Sequence, residues 1–250
     1  MHPDWLRPDW QIAGAAGVMT TRRGGVSVAP FDGKNPRDGL GDDPHSVRRN
    51  RELLQEAIGV PPVYLNQVHG AQVVRLGVAD ALPGAPLHRA DASVTTEPGI
   101  ACAVQVADCL PVLFAAPGGV AAAHAGWRGL SAGVLEATVR SLCDAAACRP
   151  DDVHAWLGAC IGPDKFEVGA DVLAAFGENA DAPSLFRFKP GRSEGKWFAN
   201  LALLARDRLA AARVGAISGG GWCTVEDASR FFSYRRDGVT GRMVAAVWLS

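Results

Sequence analysis

The chain has 250 residues, of which 48% are hydrophobic and 20% charged, a composition typical of a folded protein and not of a disordered one. Its formal net charge is -1, which gives no reason to expect nucleic acid or an anionic membrane as the main partner. Six cysteines are too few for a disulfide scaffold, and neither a secretory signal nor an apolar stretch of ~20 residues is present. We therefore expect a cytoplasmic protein with reduced thiols.

The first third of the chain alternates short apolar runs with turns. A strand is predicted at 15–20 and a helix at 44–57, with Asp43 as N-cap, Pro44 at the first helical position and Gly59 beyond the end. Short strands are predicted at 63–66 and 71–76, on either side of a bend at His69.

The remaining two thirds contain longer elements. Apolar runs rich in β-formers predict strands at 100–106, 112–116, 120–124, 153–157 and 243–249. Helical periodicity predicts helices at 130–146, 170–176 and 200–213, the last strongly amphipathic. Because these elements do not follow a strict βαβ rhythm, we predict an α+β fold with mixed sheets in a sandwich, formed by one domain over residues 1–250.

Three potential metal ligands lie at strand ends or adjoining bends: His69, Cys109 and His124. Two histidines and a cysteine suit Zn²⁺, and three protein ligands leave a fourth position for water. Gaps of 40 and 15 residues match no local metal motif, however. From spacing alone, two structural histidines and a buried free cysteine are the alternative interpretation.

Further polar residues surround these three positions in the sequence. Arg128, in a glycine-flanked turn after His124, is a candidate for phosphate contact, with a structural ion pair as the alternative. Asp108 is a candidate general base or ligand-orienting group, and Asp91 a second nearby carboxylate; either alternatively caps a turn. The polar stretch 234–238, with Arg242 beyond it, is predicted to be a solvated, charged loop, with substrate contacts as the alternative.

Several long motifs occur in a fixed order and resemble those of the YfiH family, also called the laccase-domain or multicopper polyphenol oxidase family. The resemblance covers almost the whole chain. The motifs are Asn66-Gln67-Val68-His69-Gly70, Arg89-Ala90-Asp91-Ala92, Ala107-Asp108-Cys109-Leu110-Pro111-Val112, Ala123-His124-Ala125-Gly126-Trp127-Arg128-Gly129 and Phe232-Ser233-Tyr234-Arg235-Arg236.

This resemblance implies a single α/β sandwich domain with a zinc site at His69, Cys109 and His124. It implies purine nucleoside phosphorylase activity on adenosine, inosine and S-methyl-5'-thioadenosine, together with adenosine deaminase activity. Other members are described as laccases or as peptidoglycan editing factors, so copper is the alternative metal. We accordingly predict purine nucleosides and phosphate as partners. The predicted catalytic residues are His69, Cys109, His124 and Asp108, and the predicted substrate or phosphate contacts are Asn66, Gln67, Asp91 and Arg128.

The chain departs from the family pattern in one loop. Where such proteins often carry a Ser-Leu-Asn-Leu-Gly-like stretch, this chain has Gly33-Lys34-Asn35-Pro36-Arg37 and retains only the asparagine. The resemblance therefore assigns no role to this loop.

Two other enzyme classes and one binding function compete with the phosphorylase. A four-copper laccase needs about ten histidine ligands, including His-x-His pairs, whereas this chain has six histidines and no such pair. A cysteine amidase acting on peptidoglycan precursors would use Cys109 as nucleophile and His124 or His69 as base. A metal-dependent binding module would turn over no nucleoside.

Overall fold

The structure is a computed structural model that describes residues 1–250. Its strands are β1 (Ala15–Met19), β2 (Pro62–Val63), β3 (Val73–Arg75), β4 (Ala92–Thr95), β5 (Ala101–Val106), β6 (Leu110–Ala116), β7 (Gly119–Ala125), β8 (His154–Leu157), β9 (Glu167–Val168), β10 (Phe188–Pro190), β11 (Trp197–Ala199), β12 (Ala216–Gly219) and β13 (Met243–Leu249). Its helices are α1 (Pro44–Ile58), α2 (Trp127–Ser131), α3 (Val134–Ala146), α4 (Ala170–Ala175), α5 (Leu201–Ala211) and α6 (Tyr234–Asp237).

The strands form three sheets. A four-stranded sheet has the order β1-β13-β5-β2, a six-stranded sheet the order β12-β8-β6-β7-β4-β3, and a small sheet the order β10-β11-β9. Most neighbours are antiparallel, but β2 with β5, β3 with β4 and β8 with β12 are parallel. The predicted class of mixed α/β fold is confirmed, and the parallel order of a dinucleotide-binding fold is absent. That residues 1–250 form one domain stays a prediction.

The two larger sheets pack face to face. Alternate residues of a strand point to opposite faces, so β5 and β13 each contribute to two cores. Val104 and Ala245 lie between the sheets, whereas Ala103 and Val244 pack against the layer that contains Leu54 of α1. Residues on both faces of these strands are buried, which explains why they are apolar at every position except Gln105.

Helices α3 and α5 cover the outer face of the six-stranded sheet. Leu135 of α3 and Leu204 of α5 belong to the same core as Val112 and Phe114 of β6. The opposite face of β6 and β7 points toward the four-stranded sheet, with Leu113 and Ala122 buried between the two. His124 follows Ala122 by two residues and therefore points to that inner side.

The predicted helix at 130–146 is wrong at its start. Two helices occupy this region, because Gly133 has a left-handed φ of +91° that interrupts the helical hydrogen bonds after α2. The predicted strong amphipathicity of 200–213 is also wrong. Arg206 and Arg208 are partly buried on the helix and donate to Ile217 O and Glu136, so α5 has no wide solvated face.

The capping prediction at the first helix is confirmed. The Asp43 side chain accepts hydrogen bonds from His45 N and Ser46 N, and Gly59 ends the helix in a left-handed conformation. The stretch 234–238 forms the one-turn helix α6 instead of a loop, since the Ser233 hydroxyl caps it by accepting from Arg236 N. None of the helices combines the length and the apolar character needed to cross a bilayer.

Candidate metal centre

The bend that carries His69 is held by one buried carboxylate. Asp91 accepts hydrogen bonds from the backbone N–H groups of Val68, His69 and Gly70, at 3.1, 2.8 and 2.7 Å. His69 has a φ of +61°, an uncommon conformation for a non-glycine residue. Three charge-assisted hydrogen bonds to Asp91 stabilise this conformation and point the imidazole into a cleft.

The same carboxylate orients His124. Asp91 is fully buried, and its Oδ1 lies 2.8 Å from His124 Nδ1 at the end of β7. Because the carboxylate accepts a hydrogen bond from Nδ1–H, the Nε2 atom is the ring nitrogen left to bind a metal, which would take the place of any proton there. Burial would raise the pKa of Asp91, but the hydrogen bonds from His124 and Gly70 hold it below its usual value.

Cys109 completes the group from the tight connection between β5 and β6. Asp108, the residue before it, has a φ of +88°, and this turn directs Sγ to 3.8 Å from His69 Nε2. Burial would raise the pKa of the Cys109 thiol, but the neighbouring His124 and His69 lower it to about 6. Burial would lower the pKa of His124, but Cys109 and Asp91 raise it to about 9. The cysteine is thus disposed to be a thiolate, the form that binds metals.

The donor atoms of His69, Cys109 and His124 all lie within 4.8 Å of one another. Two imidazole nitrogens and one thiolate at this separation match the donor set and span of a zinc site with one open position. Gly126 makes the approach possible, because a Cβ at this position would lie 2.8 Å from Cys109 Sγ and 3.1 Å from His69 Cδ2. The residues present therefore fit a zinc ion.

The group opens into a cleft of about 490 Å³ at one end of the two larger sheets. Of the predicted site residues, the cleft lining includes His69, Cys109, His124, Asp108, Arg128 and Gln67. Asn66 is exposed but does not line the cleft. Asp91 also lies outside the lining, behind the two histidines, so its position differs from the predicted substrate contact. A fully buried carboxylate cannot reach a ligand in the cleft.

Two of the lining residues are engaged with the protein. The Gln67 amide donates to Gln105 O and accepts from Gln105 N, each at 2.8 Å, and so joins the His69 bend to β5. The Asp108 carboxylate accepts from the Thr224 hydroxyl at 2.5 Å and from Arg235 N at 2.6 Å, which anchors α6 beside the cleft. Arg128 is exposed, and its guanidinium lies 4.3 Å from the centre of the Trp127 ring.

Several residues that the sequence left unassigned, or gave only as alternative substrate contacts, also line the cleft. They are Arg37, Gln105, Tyr234, Arg235 and Arg242. The loop at 33–37 received no role because its sequence departs from the family pattern, yet it brings Arg37 to the cleft. Tyr234, Arg235 and Arg242 belong to the polar stretch for which substrate contact was the alternative interpretation, and Tyr234 and Arg235 also lie in a family motif. Nothing local in the sequence marks Gln105.

The fold and the three converging donors define a mixed α/β protein with a candidate His-Cys-His metal site at one end of its two larger sheets. The sequence profile of the family described as multi-copper polyphenol oxidoreductase laccase matches residues 16–250, and the chain belongs to that family. The resemblance to YfiH proteins is confirmed.

Curated relatives match over nearly the full length. A protein of Pseudomonas aeruginosa is 49% identical over 98% of both chains, and YfiH of Escherichia coli is 46% identical over 99% of this chain and 97% of its own. Both are named purine nucleoside phosphorylases.

Solved structures have the same fold. A Neisseria meningitidis protein, 45% identical, superposes with a TM-score of 0.89 over 99% of each chain. YlmD of Geobacillus stearothermophilus, 32% identical, superposes with a TM-score of 0.90 over 100% of this chain and 97% of its own.

Proposed function

We propose that the protein is a purine nucleoside phosphorylase acting on adenosine, inosine and S-methyl-5'-thioadenosine, with adenosine deaminase activity, at a single zinc site. The observation that carries this proposal is the convergence of His69, Cys109 and His124 within 4.8 Å. It occurs in a cleft of nucleoside size, in a chain 49% identical to a relative named for that activity. Copper at the same three donors is the alternative metal.

The metal centre supplies the electrophilic chemistry. His69, Cys109 and His124 would hold a zinc ion, which would supply Lewis-acid chemistry at this end of the cleft. Asp91 keeps the two imidazoles in the orientation that binds the metal, through its hydrogen bonds to His69 N and His124 Nδ1. The protein thereby fixes the centre before a substrate enters.

The other cleft residues act on the nucleoside and on phosphate. Asp108 is the one carboxylate in the cleft lining, and we assign to it the proton transfer that accompanies loss of the amino group. Arg128 makes no ion pair with the protein and is exposed, so its guanidinium is available to a phosphate oxygen. Gln67 positions the His69 bend by its two hydrogen bonds to Gln105.

Incubation of the purified protein with adenosine, with and without phosphate, tests this function. Chromatography should show inosine without phosphate, and adenine and hypoxanthine with it. A chelator and Cys109→Ala should each abolish turnover, since the donor set is then lost. Absence of all three products from zinc-loaded protein overturns the proposal and leaves a binding module.

One further observation favours a cysteine amidase as second candidate. Cys109, His124 and Asp91 form a chain in which the carboxylate orients the imidazole, and His124, together with the adjacent His69, lowers the pKa of the thiol to about 6. His69 discriminates between the two functions, because it is a metal donor but not a member of that chain. Amide hydrolysis of a peptidoglycan precursor that survives chelation and His69→Ala, but not alkylation of the thiol, would establish the amidase.

A further inference from the structure

Arginine side chains dominate the charged lining of the cleft. Arg37, Arg128, Arg235 and Arg242 line it, and Asp108 is the one carboxylate among the lining residues. None of the four arginines makes an ion pair within 4.0 Å. A chain with a formal net charge of -1 thus concentrates positive charge where a ligand enters.

Two of these arginines are placed side by side by one buried amide. The Asn35 Oδ1 atom accepts from Arg37 N at 3.2 Å and from Arg242 N at 3.1 Å. Asn35 is itself fully buried, and its Nδ2 donates to Asp42 Oδ2 at 2.8 Å. The loop at 33–37 and the start of β13 are therefore fixed relative to each other.

The guanidinium groups keep free donors. Arg37 Nη1 donates to Gln105 Oε1 at 2.9 Å, and Arg242 Nη1 donates to Thr240 O and Gly241 O, each at 2.9 Å. The Nε and Nη2 atoms of both arginines have no acceptor in the protein. Burial and the neighbouring Arg37 lower the pKa of Arg242, whereas the more weakly acting Cys109 and Asp108 raise it, so two like charges lie close together in a partly desolvated place and neither forms an ion pair.

An anion between the two guanidinium groups would satisfy the free donors and offset this repulsion. Phosphate suits the place, because arginine binds phosphate oxygens in bidentate fashion and two guanidinium charges match a dianion. Arg37 and Arg242 come from the side of the four-stranded sheet, whereas Arg128 begins α2 after β7 of the six-stranded sheet. The two cationic groups therefore reach the cleft from different walls.

We propose that Arg37 and Arg242 form a phosphate-binding subsite on the four-stranded-sheet wall of the cleft, separate from Arg128. The phosphate is either inorganic phosphate that serves as co-substrate or the phosphate ester of a nucleotide whose sugar lies toward the metal centre. Only the first of these sources rests on the proposed phosphorylase activity. The subsite also gives a function to a loop at which the sequence departs from its family.

Direct binding measurements test the subsite without requiring turnover. Calorimetric titrations of the full-length, zinc-loaded protein would use inorganic phosphate, adenosine 5'-monophosphate and adenosine as probes. Arg37→Gln and Arg242→Gln should each weaken binding of a phosphate-bearing probe about tenfold or more, as expected for loss of charge-assisted hydrogen bonds. Arg37→Lys should retain part of the affinity, and the exposed, unpaired Arg48→Gln should retain all of it.

The pattern across probes identifies the source of the phosphate. Weaker binding of inorganic phosphate supports a co-substrate site, and weaker binding of the nucleotide alone supports an ester site. The proposal is overturned if both glutamine variants bind like Arg48→Gln, if adenosine binding falls as much as nucleotide binding, or if only Arg128→Gln weakens phosphate. Because binding is read directly, these outcomes stay distinct from a failure of nucleoside turnover.

Discussion

Replacement of Asp91 by asparagine removes one charge from beneath the metal centre at almost constant volume. In the native protein Oδ1 accepts from His69 N and His124 Nδ1, and Oδ2 accepts from Val68 N and Gly70 N. Asparagine offers one oxygen and one NH₂ group. With the NH₂ group in the Oδ1 position, His69 N faces a donor and His124 Nδ1 must become an acceptor, which leaves its proton on Nε2. With the NH₂ group in the Oδ2 position, Val68 N and Gly70 N both face a donor.

The magnitude follows from these contacts. A buried donor left without an acceptor costs about 1–3 kcal/mol, so one or two of them should lower the free energy of unfolding by about 1–6 kcal/mol. Loss of the carboxylate that orients a metal-binding histidine typically costs about 10–100-fold in metal affinity. Asp91→Asn should therefore reduce both the free energy of unfolding and the zinc affinity, because the substitution disturbs the orientation of His69 and of His124 at once.

The pH dependence gives a third signature. Because hydrogen bonds lower the pKa of Asp91 in the folded protein, its contribution to stability is present above the pKa of an unfolded aspartate and is lost as pH falls through the lower folded value. Asp91→Asn should accordingly lose less stability than the wild type on acidification below about pH 4.

Urea unfolding with and without a chelator, and competition for zinc with a chromophoric chelator, measure these effects. Asp164→Asn is the matched control, since Asp164 is an exposed carboxylate paired with Lys189 at 3.1 Å. Such surface pairs contribute about 0–1 kcal/mol. The reasoning is refuted if Asp91→Asn unfolds at the urea concentration of Asp164→Asn and binds zinc within about twofold of it.

Three further predictions concern single contacts. In protein treated with a chelator, the rate at which iodoacetamide alkylates Cys109 should rise through about pH 6, and added zinc should protect the thiol. A rate that rises only near the ordinary thiol pKa would contradict the ion pair with His124. Gly126→Ala should weaken zinc binding, because its Cβ would lie 2.8 Å from Cys109 Sγ. Gly221→Ala is the control and should leave zinc affinity unchanged, because no atom lies within 4 Å of its Cβ. Equal zinc affinities of the two variants would show that the turn at Gly126 shifts without cost. Burial and Arg49 lower the pKa of Lys34 to about 8. In urea unfolding, the stability of the wild type relative to Lys34→Met should therefore rise between about pH 8 and about pH 10, by on the order of 1–3 kcal/mol. Parallel pH profiles of the two proteins would contradict this prediction.

Local structure followed closely from local sequence where the signal was strong. The cap of α1 by Asp43 and Gly59 and the strand β13 were predicted because capping chemistry and continuous apolar runs act over a few residues. Elements of two or three residues, such as β2 and β9, were mispredicted or missed. Their pairing depends on partners far along the chain, and a short run carries little propensity of its own.

The residues of the candidate site were likewise predicted only in part. The ordered motifs around His69, Cys109 and His124 marked the three donors, although their spacing alone did not. Asp91 was recognised as a nearby carboxylate but was assigned to the substrate. Its place under the two histidines depends on the pairing of β4 with β7, which brings residue 91 beside residue 124.

The amino-acid sequence by itself determined the family, the class of fold and the three candidate metal donors, because each depends on residue types in a fixed order. Only the tertiary structure decided which groups face a ligand. Asp91 is buried behind the two histidines and orients them by hydrogen bonds. Asn35 Oδ1 accepts hydrogen bonds from the backbone N–H groups of Arg37 and Arg242 and so holds the two residues together, although they are 205 positions apart in the chain. Contacts between segments so distant in sequence arise from the packing of sheets, which no local pattern records.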